Sequence, residues 1–92
     1  MATLTVPDEF DLFSRVVRPE QPTLSADAAR SLLSLTFSEE DVARMNELSA
    51  KARAGHLAPV EQQELDSYER VGHMIGILQS KARISLRQSA DA

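Results

Sequence analysis

The sequence contains no cysteine, which removes disulfides, thiolate metal sites and thiol nucleophiles together. Aromatic residues are nearly as scarce, with only Phe10, Phe13, Phe37 and Tyr68, so a core has to be aliphatic and lined with alanine. No apolar run approaches the roughly twenty residues that a membrane span needs. The longest, Val71 to Leu78, is eight residues with His73 inside it. No charged-then-apolar leader opens the chain, so the cytoplasm is the expected compartment. Basic charge is in the minority, ten Lys and Arg against fourteen Asp and Glu for a net charge of −4. That balance argues against a protein whose main task is gripping a nucleic acid backbone.

Residues arranged for chemistry are also missing. There is no G-x-S-x-G, P-loop or G-x-G-x-x-G pattern, and none of the serines has an evident base beside it. His56 and His73 are the only histidines. His73 follows Glu69 by four, whereas di-iron carboxylate bundles place Glu and His three apart and add glutamates from facing helices. We therefore expect no catalytic residues, no metal ligands and no cofactor, and read the protein as a non-enzyme.

What is present is helical patterning in a single domain covering 1–92, with 42% hydrophobic and 26% charged residues, as in ordinary globular proteins. Residues 1–6 read as a loose N-terminus and 7–36 as two short helices. The first, Pro7 to Val17, carries Phe10, Phe13 and Val17 on one side. Arg18 to Thr23, with two prolines, reads as an extended connection. The second opens at an N-capping Ser25, presents Ala28, Ala29, Leu32 and Leu33, and should end near Leu35. Residues 38–87 read as an antiparallel helical hairpin. Its first arm starts at Ser38, with Phe37 and Val42 in hydrophobic-staple positions, and carries a stripe of Val42, Met45, Leu48 and Ala52. Glu40–Arg44 and Glu47–Lys51 are spaced for ion pairs along that arm, and Gly55 stops it in a left-handed conformation. The reversal at His56 to Ala58 is too short for anything but a tight turn.

The last helix, Pro59 to Arg87, is the longest pattern, about 43 Å at 1.5 Å per residue, with 88–92 as a frayed tail. Val71, Ile75, Leu78 and Ala82 recur on one face. The first arm, about 24 Å long, covers only half of it, so residues from about 75 to 86 need cover from the first two helices and from a second copy of the chain. Gly72 and Gly76 share a face, each costing about 1 kcal/mol relative to alanine. Either another helix or an aromatic ring approaches them, or they are glycines tolerated in a well-packed helix. On the first reading, Gly72→Leu disrupts packing far more than Ala82→Ser. The expected fold class is all-α, with two short N-terminal helices and a C-terminal hairpin whose last helix is long. The candidate partner-binding residues are Val71, Gly72, Ile75, Gly76, Leu78 and Ala82, for another protein chain and for a homodimer. The alternative is a nucleic-acid-binding regulator using Lys81, Arg83 and Arg87 at the basic end of the last helix.

From Phe37 onward the chain resembles a group of small, largely uncharacterised bacterial helical proteins. Their pattern has a Gly-x-Leu-Thr-Pro-Glu-Glu turn, a Glu-Leu-x-x-Tyr helix start and a closing Leu-Gln-Ser-Lys-Ala-Arg. The matching positions are Gly55, Leu57, Pro59, Glu64, Leu65, Tyr68, Val71, Gly72 and Leu78 to Arg83, with a weaker echo at Leu12-Phe13, Arg15-Val16 and Ala28-Ala29-Arg30. Ala58 stands where the pattern has a capping threonine, and Val60 where it has a glutamate. The group is similar in size and helical style to antitoxins and nuclease partners, so the resemblance implies a toxin or nuclease as the partner. It supplies no catalytic residues.

Overall fold

The longest element is the axis on which the others are mounted. The computed structural model describes residues 6–90, which form four helices and no strand: α1 (Glu9–Val17), α2 (Ala26–Leu33), α3 (Glu39–Ala54) and α4 (Pro59–Ala90). With 32 residues, α4 is about 48 Å long. It continues through Ala90, past the expected end at Arg87, and the rest of the tail expected to fray lies outside the described residues. The expected loose N-terminus falls mostly outside them; Val6 is exposed and outside any helix.

Local chemistry sets the helix ends. Asp8 caps α1 in a reciprocal box: its carboxylate accepts from Asp11 N–H (2.8 Å), and the Asp11 carboxylate accepts from Asp8 N–H (3.2 Å). Ser25 and Ser38 cap α2 and α3 by accepting from the N–H of Ala28 and Asp41, and Gly55 ends α3 at φ 74°. Helix α2 stops at Leu33, slightly before the expected end. The expected extended connection after α1 is instead a turn. Arg18 adopts φ 53°, and its carbonyl accepts from Gln21 N–H at 3.0 Å. Pro19 explains the difference, because its fixed φ suits the second position of a β-turn.

Contacts along α4 set the direction of each shorter helix. Lys51, Arg44 and Asp41 of α3 meet Glu61, Glu64 and Tyr68 in that order, so α3 runs antiparallel and completes the expected hairpin. Leu24, before α2, meets Ser85, and the carbonyls of Leu32 and Leu35 meet Gln79, so α2 is also antiparallel. Phe10 meets His73 and Val17 meets Lys81, making α1 parallel. The half of α4 beyond the reach of α3 is therefore flanked by α1 and α2.

All three shorter helices pack on α4, and none packs against another. The result is a slab of 52 × 48 × 15 Å with a radius of gyration of 17.0 Å, where a chain of this length folded as a ball has about 12 Å. A helix supported on one side buries little. Among the described residues, the buried apolar side chains are Ala29, Leu48 and Ala82, and Leu48 is the one large residue that is fully buried. Of the stripe expected on α3, Met45 is half-buried, while Val42 and Ala52 are exposed.

Candidate interaction surface

Ion pairs cross the hairpin beside the buried Leu48. Arg44 donates from Nε and Nη2 to the two carboxylate oxygens of Glu64, both at 2.8 Å, a bidentate fork that fixes orientation as well as distance. Its guanidinium also lies 3.1 Å from Glu47 and 3.6 Å from Glu61. Lys51 Nζ donates to Glu61, whose other oxygen accepts from Ala58 N–H at 3.1 Å. Glu61 thus supplies the return half of a capping box where Ala58 has no capping side chain. The hydrogen bond from Lys51 and then that from Ala58 hold Glu61 below the usual carboxylate range, and the Arg44 hydrogen bond does the same for Glu64. Tyr68 donates to Asp41 at 2.7 Å, and this bond to a carboxylate, followed by desolvation, pushes its phenol pKa up.

These bridges replace the pairs expected along α3. Arg44 and Lys51 turn across to Glu64 and Glu61 rather than to Glu40 and Glu47 four residues away; Arg44 keeps a contact to Glu47 three residues on. The cross-helix carboxylates offer a bidentate site and a shared one, which a flexible neighbour on the same helix does not. The cluster is structural in kind, since every charge in it has a partner. Among the described residues, no three His, Cys, Asp or Glu side chains converge as a metal site requires.

The residues expected to bind a partner separate into two groups. Ala82 is fully buried inside the chain, where α2 packs on α4 beside the buried Ser85, so it is not available to another protein. Ile75 and Leu78 are half-buried, and Val71 is 44% exposed. Gly72 lies beside Phe37, whose Cε2 is 3.9 Å from where a Cβ would stand; at Gly76 nothing lies within 4 Å. An aromatic ring thus reaches the first glycine at ordinary contact distance, and the second faces open space. The expected larger effect of Gly72→Leu than of Ala82→Ser is a matter for melting temperatures: a leucine at Gly72 meets the Phe37 ring, while Ala82 is the enclosed position.

The candidate nucleic-acid contacts divide in the same way. Lys81 Nζ donates to the carbonyl of Val17 at 2.5 Å and approaches that of Arg18 at 3.4 Å, so its charge sits on the C-terminus of α1. Arg83 and Arg87 are exposed, and among the described residues neither makes an ion pair.

Three features were not anticipated from the sequence. Phe10 stacks on His73 with centroids 4.3 Å apart and planes 16° from parallel. Beside that stack, Phe10, Asp66, Glu69, Arg70 and His73 line an open depression of about 330 Å³. Ser85 Oγ accepts from Leu24 N–H at 3.3 Å, and Gln79 donates to the carbonyls of Leu32 and Leu35 at 3.3 and 2.8 Å, tying the end of α2 and the residues after it to α4. Ser85 was detectable in principle, since it continues the Leu78–Ala82 spacing.

No helix among the described residues is long and apolar enough to cross a membrane. No family model, curated protein or solved structure matches the chain.

Proposed function

We propose that this protein is a helical protein–protein interaction module whose half-covered slab is completed by another polypeptide. The observation that carries the reading is surface. The chain exposes 6716 Å², against about 5,300 Å² for a compact monomer of its mass, an excess of about 1,400 Å². A standard interface takes about 800 Å² from each partner, so the excess is more than enough to supply one. The large apolar side chains left open include Val42 on α3 and Val60 and Val71 on α4, with Leu12 and Val16 on α1 and Val6 and Leu35 outside the helices.

Nucleic-acid binding has less support, since Lys81 is engaged within the chain and two arginines remain on a protein of net charge −4. The toxin or nuclease partner rests on the sequence resemblance alone. The test is recovery of the tagged chain from its own cells under native conditions, with mass spectrometry of the intact assembly. The proposal expects a stoichiometric second polypeptide, either another copy or a different protein. Recovery of a lone chain that unfolds cooperatively at a concentration-independent temperature overturns it.

A further inference from the structure

Along α4, Glu69, Gly72, Gly76, Ser80 and Arg83 follow one another at spacings of three, four, four and three, so they share one face of the helix. The order is palindromic about Gly76, with opposite charges at its two ends and small residues between. Glu69 and Arg83 each lie seven residues, about 10.5 Å, from the glycine. Both are exposed, and among the described residues neither has an ion-pair partner. The shorter helices leave the centre of this face open, with nothing within 4 Å of a side chain at Gly76, while the Phe37 ring borders it at Gly72, 3.9 Å from where a Cβ would stand.

We infer that this face is the contact between two copies of the chain, their α4 helices crossing antiparallel on a two-fold axis at Gly76, with Glu69 of each copy paired to Arg83 of the other. The inference deepens the interaction reading above by naming its partner. A two-fold axis makes each surface meet itself, so the face has to be complementary to its own reverse, and this one is. Reversal sets each carboxylate against a guanidinium and brings small residues together where the backbones approach. The surroundings of Glu69 also suit an arginine. The depression beside it offers a second carboxylate, Asp66, and the stacked rings of Phe10 and His73, while Arg70, which also lines it, hydrogen-bonds to Ser67 Oγ at 3.2 Å. A guanidinium pairs with carboxylates and stacks on aromatic faces. Two chains of net charge −4 repel at long range, but that repulsion is screened over about 8 Å at physiological salt, leaving local pairing to decide. The excess surface noted above accommodates such an interface.

Charge reversal tests the pairing. Glu69→Arg and Arg83→Glu each set like charges opposite one another twice per dimer, and each is expected to raise the dimer dissociation constant roughly tenfold or more. An equimolar mixture of the two variants restores both pairs in a heterodimer, which native mass spectrometry resolves and sedimentation velocity quantifies. Gly76→Leu serves as a second variant: within one chain it has room and suits a helix, while at the crossing it blocks approach, so a folded monomer by circular dichroism is expected. The inference is overturned by a wild-type chain that is monomeric at micromolar concentration, by single reversals or Gly76→Leu that dimerise like wild type, or by a mixture no better than its components. A monomer that associates with a different protein refutes this inference and leaves the interaction reading intact; a monomer that binds nothing refutes both.

Discussion

Replacing Leu48 with alanine probes whether so thin a core governs stability. Leu48 is fully buried on α3, and the substitution removes three carbons, worth about 2.4 kcal/mol of transfer free energy at about 0.8 kcal/mol each. A cavity term adds to this, and buried leucine-to-alanine changes span about 2–5 kcal/mol. Because α3 rests on α4 alone, it is free to settle into the gap, so we expect about 3 kcal/mol. Domains of this size have about 5–14 kcal/mol in total, and a slab with a single large buried side chain belongs at the low end. The substitution therefore removes about half of the stability. In urea unfolding followed by circular dichroism at one fixed chain concentration, the midpoint falls by roughly 2–3 M if m is about 1.2 kcal/mol/M. Leu12→Ala, at a position that is 49% exposed, is the control, expected within about 0.5 kcal/mol of wild type. A loss at Leu48 below about 1 kcal/mol, or no larger than at Leu12, refutes the view that α3 is anchored through this residue.

Three further outcomes are expected. Gly72→Ala gains helix propensity and meets Phe37 only at 3.9 Å, so it should stabilise by about 1 kcal/mol and raise Tm by about 4–8 °C; a lower Tm shows that something closer than Phe37 lies on that face. Glu61 and Glu64 titrate below the ordinary glutamate value of 4.5 when folded, so at acid pH the unfolded chain binds more protons. The stability they contribute is complete above that value and lost as pH falls through their lowered values. Thermal melts from pH 6 to 3 should show this, and the double variant Glu61→Gln with Glu64→Gln should be the flatter. Lys81→Met removes the charge at the C-terminus of α1, worth about 1 kcal/mol, so amide exchange in α1 should quicken roughly fivefold while α3 is unaffected.

The starts of α2 and α3 and the end of α3 were legible in the sequence because they are decided within a few residues, whereas the ends of α2 and α4 fell elsewhere than expected. Ser25, Ser38 and Gly55 act as their side chains and backbone require wherever they occur. The tight reversal and the length mismatch between the hairpin arms were legible for the same reason, since both follow from residue counts. Side-chain partners set by packing were not. Arg44 and Lys51 had acceptable neighbours on α3, and nothing local shows that Glu64 and Glu61 outbid them from across the hairpin. Nor does a periodic pattern distinguish the face that α2 covers, which took Ala82 out of the proposed surface, from the open face at Gly76. Both faces have small residues at helical spacing, and only the path of the chain between Val17 and Ser25 decides which is filled. The separation of the three shorter helices from one another, which leaves the molecule flat, has no local signature at all.

The most direct test of the central claim is the mass of the wild-type protein in solution by sedimentation equilibrium. If the slab is completed by a second copy, micromolar protein has twice the chain mass of 10.1 kDa and dissociates on dilution with loss of helix stability. A stably folded species of a single chain mass across that range contradicts it.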